Sequence, residues 1–211
     1  MDVLYAVLLT VAAFWLGACP FSLWVGKWLL GKDIRNYGDG NPGAYNVFRA
    51  GGRKAGVLAL VLDIGKGAPF VALAHYFFKL PEVAVMTIGL SAILGHAFTP
   101  ILRFKGGKAL AVMGGVLLAL PQHEILISVL IFMFLGFLLI DVDAWRAMFV
   151  TTATLIYLVV EKGVSLEPLF MLCVIAILAV KHFDDLKTRP RLKGKLITWL
   201  QARKTANIGR Q

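Results

Sequence analysis

Two short glycine-rich stretches hold the residues best suited to chemistry. The first reads Gly38-Asp39-Gly40-Asn41-Pro42-Gly43-Ala44-Tyr45-Asn46, with Arg49 just behind it, and the second, about sixty residues on, reads Phe104-Lys105-Gly106-Gly107-Lys108. Glycines this dense, mixed with Asn and Pro, exclude an ordinary helix. They let the backbone turn several N–H groups toward one anion, as phosphate-binding loops do. Ala44–Ala50 is expected to open a short helix whose first N–H groups point at the same place, and Arg49 can offer a two-pronged contact to phosphate. The competing reading is a plain interhelical turn. In the second stretch Lys108 stands at the start of a helical run, where a cation is misplaced unless an anion joins it. The spacing of a nucleotide-hydrolysing loop is absent, because Leu102 and Ala109 occupy its key places.

The elements that position these loops are greasy. The chain has 211 residues, 59% of them hydrophobic, and a mean hydropathy of +0.77. Soluble domains average about 45–50% apolar. Apolar runs fall at Val3–Leu30, Ala55–Phe78, Val83–Leu102, Ala109–Leu120, Ile125–Ile140, Trp145–Val160 and Leu166–Val180. This predicts an all-α integral membrane protein, a bundle of about seven transmembrane helices at 1–181 followed by a basic tail at 182–211. The fourth run is short for a crossing and the fifth is marginal, so a five-span variant stays open. No basic segment precedes the first run, which is expected to remain as a span.

Charge sets the expected orientation. With the N-terminus outside, the cytoplasmic loops and tail would hold 19 Lys and Arg against 2 outside, Lys79 and Lys162. Both glycine-rich loops then share the cytoplasmic face with the tail, whose amphipathic stretch around Leu192–Leu200 suits anionic headgroups. Nothing in it matches a nucleic-acid reader. Cys19 and Cys173 lie inside apolar runs, without the spacing of a metal site or a disulfide framework.

Four ionisable groups accompany the loops. Asp63 and Lys66, three apart in the second run, share a helix face. They either border the polar site or neutralise each other inside the span. His96 ends the third run, as an interior histidine or a member of the site. His182 follows the last run, beside Asp184 and Asp185, at the boundary where both loops must converge.

Taken together, Lys32-Asp33-Ile34-Arg35, the Gly38–Arg49 loop, Leu62-Asp63-x-x-Lys66-Gly67, Gly95-His96 and Phe104–Lys108 resemble the bacterial membrane family of acyl-phosphate:glycerol-3-phosphate acyltransferases, the PlsY type. The likeness is specific over the first 120 residues. It implies a multi-pass plasma-membrane enzyme with its site on the cytoplasmic side. The substrates would be acyl phosphate and glycerol 3-phosphate, with no metal, cofactor or nucleic acid. It further implies that Asn41, Lys108 and His182 act in catalysis. Asp39, Gly40, Gly43, Ala44, Tyr45, Asn46, Arg49, Lys105, Gly106, Gly107 and Asp185 would bind substrate, supported by Asp63, Lys66 and His96. The chain also departs from the family. Asp39 stands for a usual Ser, Tyr45 for Thr, Arg103 and Ala109 for Gly, and Asp185 for Asn. Two added carboxylates beside a dianion point to a different acceptor or to a catalytically impaired lipid-binding paralogue as alternatives.

Overall fold

The computed structural model describes residues 1–194. The segment 195–211, and with it most of the expected amphipathic stretch, lies outside the described residues. Among the described residues the fold is all-helical, with one extended contact, a bridge between Ile140 and Leu192.

Proline breaks two of the apolar runs. The first is split into α1 (Asp2–Ala18) and α2 (Phe21–Leu30) at Cys19-Pro20. Proline has no N–H to donate and disfavours helix in the residue before it. The second run is interrupted ahead of Pro69, so each expected single span is a bent pair. After α2 comes the first glycine-rich loop, then a six-residue helix α3 (Ala44–Arg49), as its sequence predicts. The second apolar run begins as α4 (Arg53–Gly65) and restarts after Lys66 as α5 (Pro69–Ala72), which ends in a π-turn over Leu73–Phe77. Then follow α6 (Glu82–Ala97), α7 (Leu110–Ala119), α8 (His123–Leu139), α9 (Asp143–Lys162), α10 (Leu166–Lys181) and the short α11 (Phe183–Leu186).

Among the described residues, four stretches are long and apolar enough to cross a bilayer: Asp2–Leu30, Arg53–Phe77, Glu82–Leu102 and Asp143–Lys162. At about 1.5 Å per residue, the ten residues of α7 rise about half of a ~30 Å hydrocarbon core. This short helix is largely enclosed, with Val112, Val116 and Leu117 buried in one core with Val71, Ile88 and Phe170. It packs on α4 almost backbone to backbone. A Cβ on Gly67 would stand 2.3 Å from the Val112 carbonyl oxygen, and one on Gly115 would stand 1.8 Å from that of Ile64. Small residues allow such approaches in bilayers, where the hydrophobic effect does not drive helices together. Large apolar side chains cover the outside, among them Leu4, Val11 and Trp15 on α1 and Ile127, Phe134 and Leu138 on α8. A soluble monomer does not expose that much contiguous apolar surface.

The break at Pro20 exposes carbonyls that helix would otherwise satisfy. The Lys66 ammonium donates to the Cys19 carbonyl at 2.8 Å, and Thr99 Oγ1 donates to that of Ala18 at 2.7 Å. Lys66 also pairs with Asp63 at 2.7 Å, both buried, while the Ser22 hydroxyl donates to Asp63. Of the two sequence readings for Asp63 and Lys66, the geometry is that of the self-neutralising pair, tied to the broken helix end.

A smaller apolar cluster of Val25, Ile34, Val47, Ala55 and Ala59 joins α2, α3 and α4 and seats the first loop. At one end of the bundle Lys162 bridges Glu124 and Glu167, tying α8, α9 and α10 together. At the end that carries α11, the chain beyond it folds back on the α8–α9 turn. The Asp141 N–H donates to the Arg191 carbonyl (2.9 Å), the Lys193 N–H to that of Leu139 (3.0 Å) and Trp145 Nε1 to that of Thr188 (2.8 Å).

Candidate active site

The two glycine-rich loops meet. They line one cavity of about 340 Å³ together with the end of α10 and α11. Asp39, Gly40, Asn41 and Pro42 come from the first loop, Phe104, Lys105, Gly106 and Lys108 from the second, and Lys181, Asp184 and Asp185 from the third element.

Each wall has a local cause. The second loop lies on His96, whose carbonyl accepts the Gly107 N–H at 3.1 Å. A Cβ on Gly106 would come within 2.0 Å of that carbonyl oxygen, and one on Gly107 within 2.2 Å of the imidazole Nε2. His96 is therefore the floor beneath the loop, and only glycine lets the loop lie this close. The Lys181 ammonium holds the loop from the other side, donating to the Gly106 carbonyl at 2.9 Å. In the first loop the Asp39 carboxylate is the organising group. Its Oδ1 accepts the Asn41 N–H (3.2 Å) and Asn46 Nδ2 (2.8 Å), and Asn46 Nδ2 also donates to the Asn41 carbonyl (2.8 Å).

Lys108 joins all three walls. Its ammonium stands 2.6 Å from Asp39 Oδ2 and 2.7 Å from Asp185 Oδ2. Burial works against the charge on Lys108, but the two carboxylates outweigh it and raise its pKa. Burial likewise opposes ionisation of Asp39, and Lys108 with the Asn41 N–H overcomes it, lowering the Asp39 pKa. His182 lies behind this cluster, its Nδ1 3.6 Å from Asp185 Oδ2, too long for a hydrogen bond. It is buried, and neither ring nitrogen has a hydrogen-bond partner among the described residues. Burial and the nearby Lys108 lower its pKa, which keeps the imidazole neutral at pH 7. A buried, unpaired imidazole is costly unless something completes its bonding.

The cavity thus gathers Asp39, Gly40, Asn41, Lys105, Gly106, Lys108 and Asp185 of the residues that sequence points to. Gly43, Ala44, Tyr45, Asn46 and Arg49 stand outside its lining, as do Gly107 and His182. Arg49 rests on Tyr45 instead, 5.1 Å above its ring and with Nη2 donating to the hydroxyl at 2.8 Å. Asp63 and Lys66 do not reach the cavity. In the sequence Lys181 is only one of the cytoplasmic positive charges and Asp184 only a neighbour of His182, and that closeness is the one local signal for either. No Ser, Thr or Cys stands among the described residues that line the cavity, and no cluster of metal-binding side chains occurs among the described residues.

Residues 7–189 match the glycerol-3-phosphate acyltransferase family. A glycerol-3-phosphate acyltransferase of Geotalea daltonii is 35% identical over 189 residues, 86% of this chain and 92% of that protein. One from Enterococcus faecalis is 43% identical over 126 residues, an alignment that spans 60% of this chain but only 58% of that protein. Among solved structures, PlsY, an integral membrane glycerol 3-phosphate acyltransferase in its glycerol 3-phosphate form, superposes with a TM-score of 0.76 at 29% identity, covering 92% of this chain and 98% of that one. The lysophosphatidic acid form of the same enzyme gives a TM-score of 0.74.

Proposed function

The chain belongs to the glycerol-3-phosphate acyltransferase family, and from that premise we propose that it moves a fatty acyl group from acyl phosphate to the 1-hydroxyl of glycerol 3-phosphate, releasing lysophosphatidic acid and phosphate. The observation that carries this reading is the meeting of both glycine-rich loops and the His182–Asp185 segment around Lys108. Lys108 and Lys105 would take the phosphoryl charge, and the first loop would add N–H donors. The acyl chain would lie along the apolar outer surface in the bilayer.

The lining offers no hydroxyl or thiol to carry an acyl intermediate, which favours direct transfer. The acceptor oxygen bonds to the donor's carbonyl carbon, the bond from that carbon to the phosphate oxygen breaks, and phosphate leaves with the electron pair. The hydroxyl proton passes to a phosphate oxygen. An acyl phosphate is a mixed anhydride with a good leaving group, so orientation and charge neutralisation are the main demands on the protein. Family membership and the charge asymmetry favour a bundle of about seven spans in a bacterial plasma membrane, N-terminus outside and site on the cytoplasmic face.

The test is acyl transfer by purified protein in detergent or lipid mesophase. We expect lysophosphatidic acid from acyl phosphate and glycerol 3-phosphate, and a loss of at least about a hundredfold in Lys108→Ala, the scale of removing one group that stabilises developing charge, with a smaller loss in Arg49→Ala, which stands outside the lining. A folded protein that transfers nothing from any acyl phosphate would overturn the reading. A second reading, with the same donor but a neutral or cationic acceptor, is favoured by the two carboxylates that already share Lys108. It predicts faster turnover with uncharged alcohols or amines than with glycerol 3-phosphate. Binding of substrate without turnover would instead mark a lipid-binding paralogue.

A further inference from the structure

The donors in the first loop and Lys108 already hold an anion, and it belongs to the protein. Asp39 takes the Asn41 N–H and the Asn46 amide on Oδ1 and the Lys108 ammonium on Oδ2, so one carboxylate fastens the first loop to the second. These are the donors that a phosphoryl group would use. A phosphoryl dianion offers three strong acceptor oxygens where the carboxylate offers two. It can also recruit Lys105, which lines the same cavity and whose ammonium makes no hydrogen bond or ion pair among the described residues.

We propose that Asp39 is a specificity-determining residue that occupies the phosphoryl position of the empty site and must be displaced by the substrate's phosphoryl group. The inference rests on the reading of this cavity as a phosphoryl site. Displacement makes the site selective. A ligand must release Asp39 from three donors, which a dianion with several acceptors does better than a singly charged carboxylate, and the displaced carboxylate then opposes the bound anion. Asp185 keeps its own contact with Lys108 and does not touch the first-loop donors, so the exchange centres on Asp39.

The experiment measures binding of inorganic phosphate to the purified full chain in detergent, by thermal shift, with ionic strength held constant by chloride. Asp39→Asn and Asp39→Ser are compared with wild type and with Asp184→Asn. Asp184 lines the same cavity but pairs with Lys187 at 2.7 Å rather than with either loop. If Asp39 is the occupant, both Asp39 variants bind phosphate about tenfold more tightly, a shift that one close like charge readily supplies. Asp184→Asn changes affinity less than about twofold, as expected for a more screened charge. Asp39→Asn keeps the size of the side chain and an acceptor for the Asn41 N–H, so it guards against a loop that merely collapses. Phosphate affinity unchanged or weakened in both Asp39 variants overturns the proposal. So does an equal gain in Asp184→Asn, which would reveal only a general field. An absence of acyl transfer by the wild-type protein would sink the proposed reaction but leave this binding measurement to be decided on its own.

Discussion

At the residue scale, two side chains have a conformational cost. Arg103 and Ala109 flank the second loop, and both have left-handed backbone, with φ of 51° and 62°. A side chain in that region costs roughly 1–2 kcal/mol. The two positions should respond differently. Arg103 is exposed, so Arg103→Gly relieves strain with little lost packing and should stabilise the protein by about 0.5–1 kcal/mol, the usual scale for such backbone relief. Ala109 is buried, and its methyl contributes about 0.8 kcal/mol of burial, so Ala109→Gly should be nearly neutral. Thermal unfolding in detergent distinguishes them, and equal shifts for both would show that strain does not control this loop. Asp39 and Asp185 look unfavourable when read from sequence as added charges near a dianion. The structure pairs both with Lys108, which spacing alone could not reveal, since Lys108 lies 69 residues from Asp39 in the chain.

At the scale of elements, the buried Asp63–Lys66 pair serves the bend of the first span. Removing one member of such a pair strands the other charge and costs about 3–5 kcal/mol. Lys66→Met should therefore unfold at markedly lower denaturant or temperature, and adding Asp63→Asn should recover most of the loss. If Lys66→Met melts like wild type yet loses acyl transfer, the pair belongs to the chemistry instead. The pairing itself is legible from a spacing of three on a helix. Its partners are not, because the Cys19 carbonyl and Ser22 become available only where Pro20 interrupts the helix. Hydropathy passes over Pro20 and Pro69, since apolar residues continue on both sides, which is why Val3–Leu30 and Ala55–Phe78 read as unbroken. The later helices were readable within a few residues of their ends, from Leu110–Ala119 to Leu166–Lys181. The loops were legible because their chemistry lies in residue type. Lys181 escaped notice because its role depends on α10 packing beside Gly106.

For the whole molecule, the charge bias makes a prediction about sidedness. In a background with Cys19 and Cys173 replaced by Ser, single cysteines at Lys79 or Lys162 should react with a membrane-impermeant maleimide on intact cells, and single cysteines at Lys105 or Lys187 only after lysis, as expected when positive charge is retained inside. The reverse pattern would invert the proposed orientation and move the site to the outer face. The cavity's third wall has a further dependence. Asp184 and Asp185 hang between His182 and the place where Trp145, Asp141 and Leu139 grip the returning chain. That grip anchors residues 188–193 to the α8–α9 turn, so a pull on the chain beyond it is borne by α8 and α9 before it reaches the carboxylate that steadies Lys108. A handle or fusion partner placed beyond the grip should therefore leave turnover unchanged, whereas Trp145→Phe, which loosens the grip itself, should be felt at the cavity, and turnover measured on both proteins checks this.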